Sequence, residues 1–448
     1  MSNLTSHEVI ILGGGISGLS TAWFLRQKGI SFKLFEKQSE TGGVIASEYI
    51  EGSVMDFGPN SLRDRNGQIR KIAKDLGISD DLIGISEAFK TRYIVRDGKL
   101  QSLSPNISSL ISTKVLSASG KIRLLKEPFI EAGSGEDESI GEFLERRIGK
   151  EAVDYLADPI FSGIYAGDIY RMSKKSVLPK LAEFEQDYGS VSWGAIRSKK
   201  EKREVKPMVL SFKKGIQQLT DAITEKISDH ITYDEVLSLK KSDSGFEVAT
   251  EEATYHSLNV ISCIPAYNLG RILEGFEPEL SAELMNIDYA PMLSVQLTFN
   301  KAEIDFITEG FGFLVPRKER IRLLGAIWKS SIFPELTNKD QHQFTLMIGG
   351  AHDRGILTEP KEQVEQEGIR EFCRLMQFDA RPSVIRSRLW KKAIPQFEVG
   401  YEQQKAKLDR FEGGNPGLYF GGNYQWGVSV PDCIQGAEGL AEELAAGL

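Results

Sequence analysis

An α/β fold, its first unit gathered from both ends of the chain, is predicted by three stretches of the 448-residue sequence. Near the N-terminus, "HEVIILGGGISGLSTAWFLRQKG" runs from a short apolar segment through a glycine turn into a helical pattern. At the other end, "GLYFGGNYQWGVSVPDCIQGAEGLAEELAAGL" repeats that order of strand, glycine turn and helix. Between them, a block of helical periodicity and a block of strand alternation read as insertions.

The first elements follow from local chemistry. "EVIIL" is short, apolar and uninterrupted, as a buried parallel strand would be. Gly13, Gly15 and Gly18 then occupy the three positions of GxGxxG, and "SGLSTAWFLRQKG" continues as an amphipathic helix stopped by Gly29. The first glycine permits a tight turn, the second lets the backbone approach a pyrophosphate, and the third lets helix pack on strand. The free N–H groups of the helix start would receive that pyrophosphate. A second strand, "SFKLFE", ends on Glu36, 18 residues past Gly18, with Lys37 next. An acid there suits a ribose 2′-hydroxyl and disfavours a 2′-phosphate. Together these features describe a Rossmann-like dinucleotide site. "KQSETGG" then brings Gly42 and Gly43, and so room for a second loop to pass close to the phosphates.

Further along, "LSFKKGIQQLTDAITEKI" predicts a helix, and the segment after it predicts strands that turn at "SDSG". In the terminal segment, Pro431 and Asp432 fall in a helix's first turn, where a missing N–H costs nothing and a negative charge favours the dipole. The predicted organisation is a discontinuous Rossmann-like domain (1–90, 206–266 and 397–448), a helical insertion (91–205) and an α+β domain (267–396). "SIGEFLERRIGKEAVDYLADPIF" typifies the helical insertion; "MLSVQLTF", "IRLLGAIW" and "QFTLMIGG" are strands of the α+β domain.

Composition excludes several classes. Fifty-five basic against 63 acidic side chains give a net charge of −8, so nothing resembles a nucleic-acid binder. Cys263, Cys373 and Cys433 are far apart, which argues against a disulfide framework, and five scattered histidines offer no zinc spacing, so no metal is expected. Neither a signal peptide nor a run of about 18 uncharged apolar residues is present, so a cytoplasmic location is expected. Two stretches leave a membrane reading open. "RSKKEKREVK" (197–206) is either a solvated loop or a contact for an anionic surface. Residues 104–130 are either an amphipathic cap on a cleft or an interfacial segment.

The glycine doublet after the ribose acid resembles the extended fingerprint of the flavoprotein superfamily that includes amine oxidases and phytoene desaturases, which implies FAD. Val44 stands where many members have arginine. Within that superfamily, "LADPIFSGIYAGDIYRMSKKSVLPKLAEFEQDYGSVSWG" (156–194), "GPNSL", "RLWKKAIPQFEVGY" and "GNYQWGVSVPDCI" resemble the oxygen-dependent protoporphyrinogen oxidase family over almost the whole chain. Ile169, Lys214 and Tyr401 depart from its usual pattern. The resemblance implies that Val236 lies against adenine, that Gly58, Pro59, Asn60 and Ser61 form the flavin-proximal loop, and that backbone at Val428, Ser429 and Val430 meets the flavin's pyrimidine side. It implies substrate contacts at Arg92, for a carboxylate, and at Gly163, whose backbone would face the macrocycle. Asn60 would orient flavin or substrate, and Trp390 is either a flavin neighbour or core.

The implied activity is oxidation of protoporphyrinogen IX to protoporphyrin IX in heme biosynthesis, with O2 as acceptor. Coproporphyrinogen III is the alternative substrate, since the two differ by two propionates against two vinyls. A flavin amine oxidase and a carotene desaturase are weaker readings because neither explains "SGIYAGD", and a non-catalytic tetrapyrrole carrier is weaker because the FAD fingerprint is complete. Hydride leaves a saturated bridge carbon as the ring aromatises, so no strong side-chain base is required. A homodimer and transient contact with the next heme-pathway enzyme complete the partners considered.

Overall fold

The computed structural model describes residues 5–103, 112–198, 205–306 and 309–447. Most of the basic stretch 197–206 and residues 104–111 of the segment 104–130 lie outside the described residues.

A seven-stranded sheet gathers the chain's distant parts. Its parallel strands run Ile231–Tyr233, Phe32–Glu36, Thr5–Leu12, Thr254–Ser262 and Leu418–Phe420. An antiparallel pair, Val236–Ser242 and Gly245–Thr250, extends it from the strand Thr254–Ser262. The strand ends are laced together: Gly13 N–H donates to Phe35 O, Cys263 N–H to Leu12 O and Gly421 N–H to Ser262 O, each at 2.8 Å. The carboxyl ends of these strands therefore form one floor, the position at which open α/β sheets hold ligands.

The helix Ile16–Gln27 was expected to be amphipathic, yet Ser17–Leu25 are buried without a break. The sheet lies on one side, while the terminal helix Val430–Gly447 and the helix Gln217–Ile227 enclose the rest. An uncharged "SGLSTAWFL" is what such enclosure demands. The terminal helix is amphipathic: Val430, Ile434, Ala437, Ala441 and Leu444, spaced by three and four, are buried in that same core. Each large member stabilises by roughly 1.5–3 kcal/mol on burial.

The second sheet is also seven-stranded, in the order Val384–Pro395, Tyr289–Asn300, Gln341–Gly349, Leu323–Ile327, Gly312–Leu314, Arg92–Arg96, Lys99–Leu103. One face packs on the helix Lys361–Met376 through Phe344, Ile348, Val364 and Phe372. The start of the segment expected to be helical, 91–205, thus contributes two strands to this sheet. The reason was in the sequence: "RYIVRDGKLQSL" alternates around Asp97 (φ 52°) and Gly98 (φ 70°), the pair that a two-residue hairpin needs. Likewise "LSF", expected to open a helix, belongs to the strand Met208–Phe212, which sits between Leu62–Asp64 and Leu82–Gly84; the helix begins only at Gln217.

From Ala118 to Arg197 the insertion is mainly helical, and a buried charge network holds it. Arg147 pairs with Glu127 and Glu185, while Arg146 and Lys174 share Glu138. Glu127 also accepts the N–H groups of Val191 and Ser192, capping the helix Val191–Arg197. Among the described residues no helix is long and apolar enough to cross a membrane.

Candidate functional site

The three motif glycines play different physical parts. A Cβ on Gly18 would lie 1.9 Å from Gly13 O, so the helix reaches the strand only without one. Gly13 has φ +98° and would meet Ile264 at 2.8 Å. Gly15 differs: its φ is −73°, and a Cβ there would touch nothing within 4 Å. It faces open space at a helix start that has no side-chain cap and no acidic residue in its first turn. Uncapped N–H groups at such a start favour an anion.

Around this opening the structure gathers other residues singled out above. Gly42 N–H donates to Gly14 O at 2.8 Å and bridges Gly15, and a Cβ on Gly43 would lie 3.2 Å from Gly15 Cα. Glu36 is buried; its Oε2 accepts the Gly14 N–H at 2.7 Å and its Oε1 the Gln38 N–H at 2.9 Å. The acid thus shapes the glycine turn, and each oxygen keeps a lone pair for a hydroxyl. Lys37 pairs loosely with Glu235, next to Val236, which opens its strand three residues beyond Tyr233, the partner of Glu36.

Gly58 crosses the Val44 loop so closely that a Cβ would lie 2.1 Å from Val44 O. Pro59 and Ser61 are half-buried. Asn60 donates from Nδ2 to Gly58 O at 3.1 Å and accepts the Thr345 hydroxyl at 3.0 Å. Trp390 donates from its indole N–H to Phe57 O at 2.9 Å and packs on a small cluster with Met55 and Phe57. At the terminal helix, Val428 packs into the second core cluster and Val430 into the first, while Ser429 Oγ accepts the Asp432 N–H at 3.2 Å.

The expected substrate residues flank one strand of the second sheet. Gly163, in the helix Asp158–Tyr165, sits where a Cβ would meet Leu314 Cδ2 at 2.6 Å. Arg92 opens the strand beside Leu314. Its guanidinium lies 5.6 Å from the Phe311 ring centre and has no carboxylate in ion-pair range among the described residues. Burial, first, and the negative Asp432, second, push the Tyr165 phenol up. That helix therefore lies within electrostatic reach of the terminal helix start. A π-helical turn, Val153–Ala157, precedes it, a distortion frequent at functional sites.

Sequence reasoning missed Lys329 and Asp56, which form a fully buried ion pair beneath Asn60. A lysine inside the apolar run "LLGAIWKSSIF" was the available signal. Among the described residues, no cluster of three or more potential metal ligands occurs.

Comparison with known proteins gives a family match and a fold match. The family model described as flavin containing amine oxidoreductase matches residues 16–445. The chain is 30% identical over 470 residues to protoporphyrinogen oxidase 2, chloroplastic/mitochondrial, of Arabidopsis thaliana, covering 96% of this chain and 92% of that protein. It is 27% identical over 473 residues to the coproporphyrinogen III oxidase of Bacillus subtilis, covering 99% of each. A crystal structure from Exiguobacterium sp. 255-15 superposes with a TM-score of 0.84 over 100% of both chains at 20% identity, which supports the fold alone.

Proposed function

The chain belongs to the flavin containing amine oxidoreductases, and on that premise we propose that its substrate is a porphyrinogen, protoporphyrinogen IX first and coproporphyrinogen III as the second reading. It is an FAD-dependent oxidoreductase. The observation that carries the substrate is the near full-length likeness to a protoporphyrinogen oxidase. The Bacillus subtilis relative keeps the second substrate in play.

The residues fit FAD. The open space at Gly15, the uncapped helix start and the buried Glu36 suit a pyrophosphate and a ribose. Gly13, Gly18, Gly42, Gly43, Lys37 and Val236 would complete the nucleotide end; Gly58 to Ser61, Trp390 and residues 428–430 would border the ring. Bound FAD would supply the hydride acceptor, with O2 as the final oxidant. The chain's own part is to bind and orient. Arg92, free of a carboxylate among the described residues, would take a propionate, and a guanidinium fork suits that geometry. Gly163 would let main chain approach the macrocycle. Met292, Met347 and Ile394, half-buried on the second sheet, would keep water from the reacting carbon. The pyrrole protons leave as the ring aromatises, so no buried base is needed.

The same reading assigns 1–90, 206–266 and 397–448 to cofactor binding, with 91–205 and 267–396 enclosing the substrate. Peripheral contact with an anionic lipid surface is supported by exposed apolar residues on adjoining segments. Ile122, Leu125, Phe129 (84% exposed), Trp193 and Ile196 (72%) stand among Lys121, Lys126 and Arg197.

Anaerobic mixing of the yellow protein with each porphyrinogen tests the substrate. Rapid flavin bleaching, followed by porphyrin fluorescence in air, is expected with one of the two. Bleaching by neither rejects the reading.

A further inference from the structure

We propose that Lys329 is a positioning residue: its ammonium, paired with Asp56, ties the loop Gly58–Ser61 to the second sheet and so fixes the flavin's surroundings. The inference rests on the reading above that this loop borders the flavin.

Lys329 follows the strand Leu323–Ile327 and opens the short helix Lys329–Ile332. Its Nζ lies 2.6 Å from Asp56 Oδ2, and both side chains are 0% exposed. A second N–H of the same ammonium donates to the main-chain O of Asn60 at 3.1 Å. Asp56 is itself a junction. Its Oδ1 accepts the Ser47 hydroxyl at 2.6 Å and the Ile216 N–H at 3.0 Å, and its main-chain O accepts Gln296 Nε2 at 2.6 Å. Thr345, on the strand Gln341–Gly349, meets both Asn60 Oδ1 and Gln296 Oε1. With Trp390, whose indole N–H donates to Phe57 O, three strands of the second sheet and the short helix that carries Lys329 therefore hold the chain from Asp56 to Asn60.

Stability does not ask for a charge at this place. Replacing a buried ion pair by apolar side chains of similar volume is often neutral or stabilising, and a methionine has nearly the length of this lysine. A hydrocarbon cannot aim at a carbonyl, however. The ammonium fixes the direction of the Asn60 peptide, next to the turn whose Gly58 already admits no side chain. Loop geometry held to a fraction of an ångström is what orientation of a bound ring requires.

The test uses holoenzyme variants. K329M alone strands a buried carboxylate and is expected to fold poorly. The informative protein is K329M/D56N: its asparagine Oδ1 still accepts from Ser47 and Ile216, while an uncharged amide faces the thioether. The visible flavin spectrum, flavin midpoint potential, FAD retention on dilution, kcat and KM would be measured. Expected are a folded double variant with an altered spectrum and midpoint, and kcat lowered on the order of 10- to 100-fold with KM within about twofold. A folded double variant with wild-type spectrum, midpoint, FAD retention and kcat overturns the proposal. A double variant that does not fold assigns the pair to stability alone and overturns it too. Spectrum, midpoint and retention need no substrate. Failure of the porphyrinogen reading, seen as an inactive wild type, is therefore distinguishable from failure here.

Discussion

Replacing Gly15 by alanine separates cofactor binding from folding. At φ −73° and ψ 177° the residue is in extended backbone open to any side chain, and an added methyl meets nothing within 4 Å. Two small effects act on the apoprotein. Removing a glycine from the unfolded ensemble stabilises by about 0.4–1 kcal/mol. Alanine is a poorer N-cap than glycine, which costs a similar amount. Apoprotein stability should therefore change by less than about 1 kcal/mol. The methyl does, however, occupy the space assigned to the pyrophosphate. Overpacking of roughly 1–3 kcal/mol translates to FAD binding weakened about 5- to 150-fold. Gly18→Ala is the control: its methyl would stand 1.9 Å from Gly13 O, and backbone cannot move aside. That variant should lose the fold together with the flavin. The assay pairs the flavin-to-protein absorbance ratio after desalting with thermal unfolding of apoprotein by circular dichroism. A Gly15→Ala protein that keeps FAD at the wild-type ratio and affinity refutes the assignment of the open space.

Arg92→Ala should lower kcat/KM for a porphyrinogen roughly 10- to 150-fold, the worth of a charge-assisted hydrogen bond of about 1.5–3 kcal/mol, with Arg92→Lys between; steady-state kinetics on both substrates check it. Burial alone pushes Glu127 up, yet hydrogen bonds from Ser192, Arg147 and Ser190 outweigh it and hold the acid at about 2 against its ordinary 4.5. Its contribution is therefore present above pH 4.5 and lost as pH falls toward 2, so Glu127→Gln should flatten the acid limb of a stability-versus-pH curve. Glu412 shows the opposite sign: burial pushes it up to about 7 while the Phe420 N–H opposes. The folded state then holds a proton that the unfolded state releases above pH 4.5, and stability falls as pH rises through 7. Glu412→Gln should gain on wild type between pH 5 and 8 by on the order of 1 kcal/mol, read from urea midpoints.

What the sequence revealed was whatever acts over short spans. The turn at Gly13–Gly18, the acid at Glu36, and Pro431 and Asp432 in the first turn of the terminal helix each lie within one or two elements. The Asp97–Gly98 hairpin was equally local, but the helical pattern farther along the same segment masked it. Lys329 shows the opposite limit. Its partner lies 273 residues away, and no periodicity connects the two. The same holds for Arg147, whose partners Glu127 and Glu185 are brought to it by separate helices. The enclosed first helix was misread because its outer neighbour, the terminal helix, comes from the far end of the chain.

A sheet assembled from strands at residues 5–12, 32–36, 231–233, 254–262 and 418–420 has a consequence for birth on the ribosome. Domains generally fold as units, the N-terminal one first. Here the first strands made must wait for some of the last. Until Leu418–Phe420 and the helix behind it emerge, Val260–Ser262 have an unpaired edge and the core on "EVIIL" lacks part of its cover, and an uncovered apolar edge invites pairing with other chains. Nascent chains therefore depend on shielding through most of synthesis. A chain truncated before Leu418 lacks a strand of this sheet and the helix Val430–Gly447, and is expected to retain no flavin after desalting.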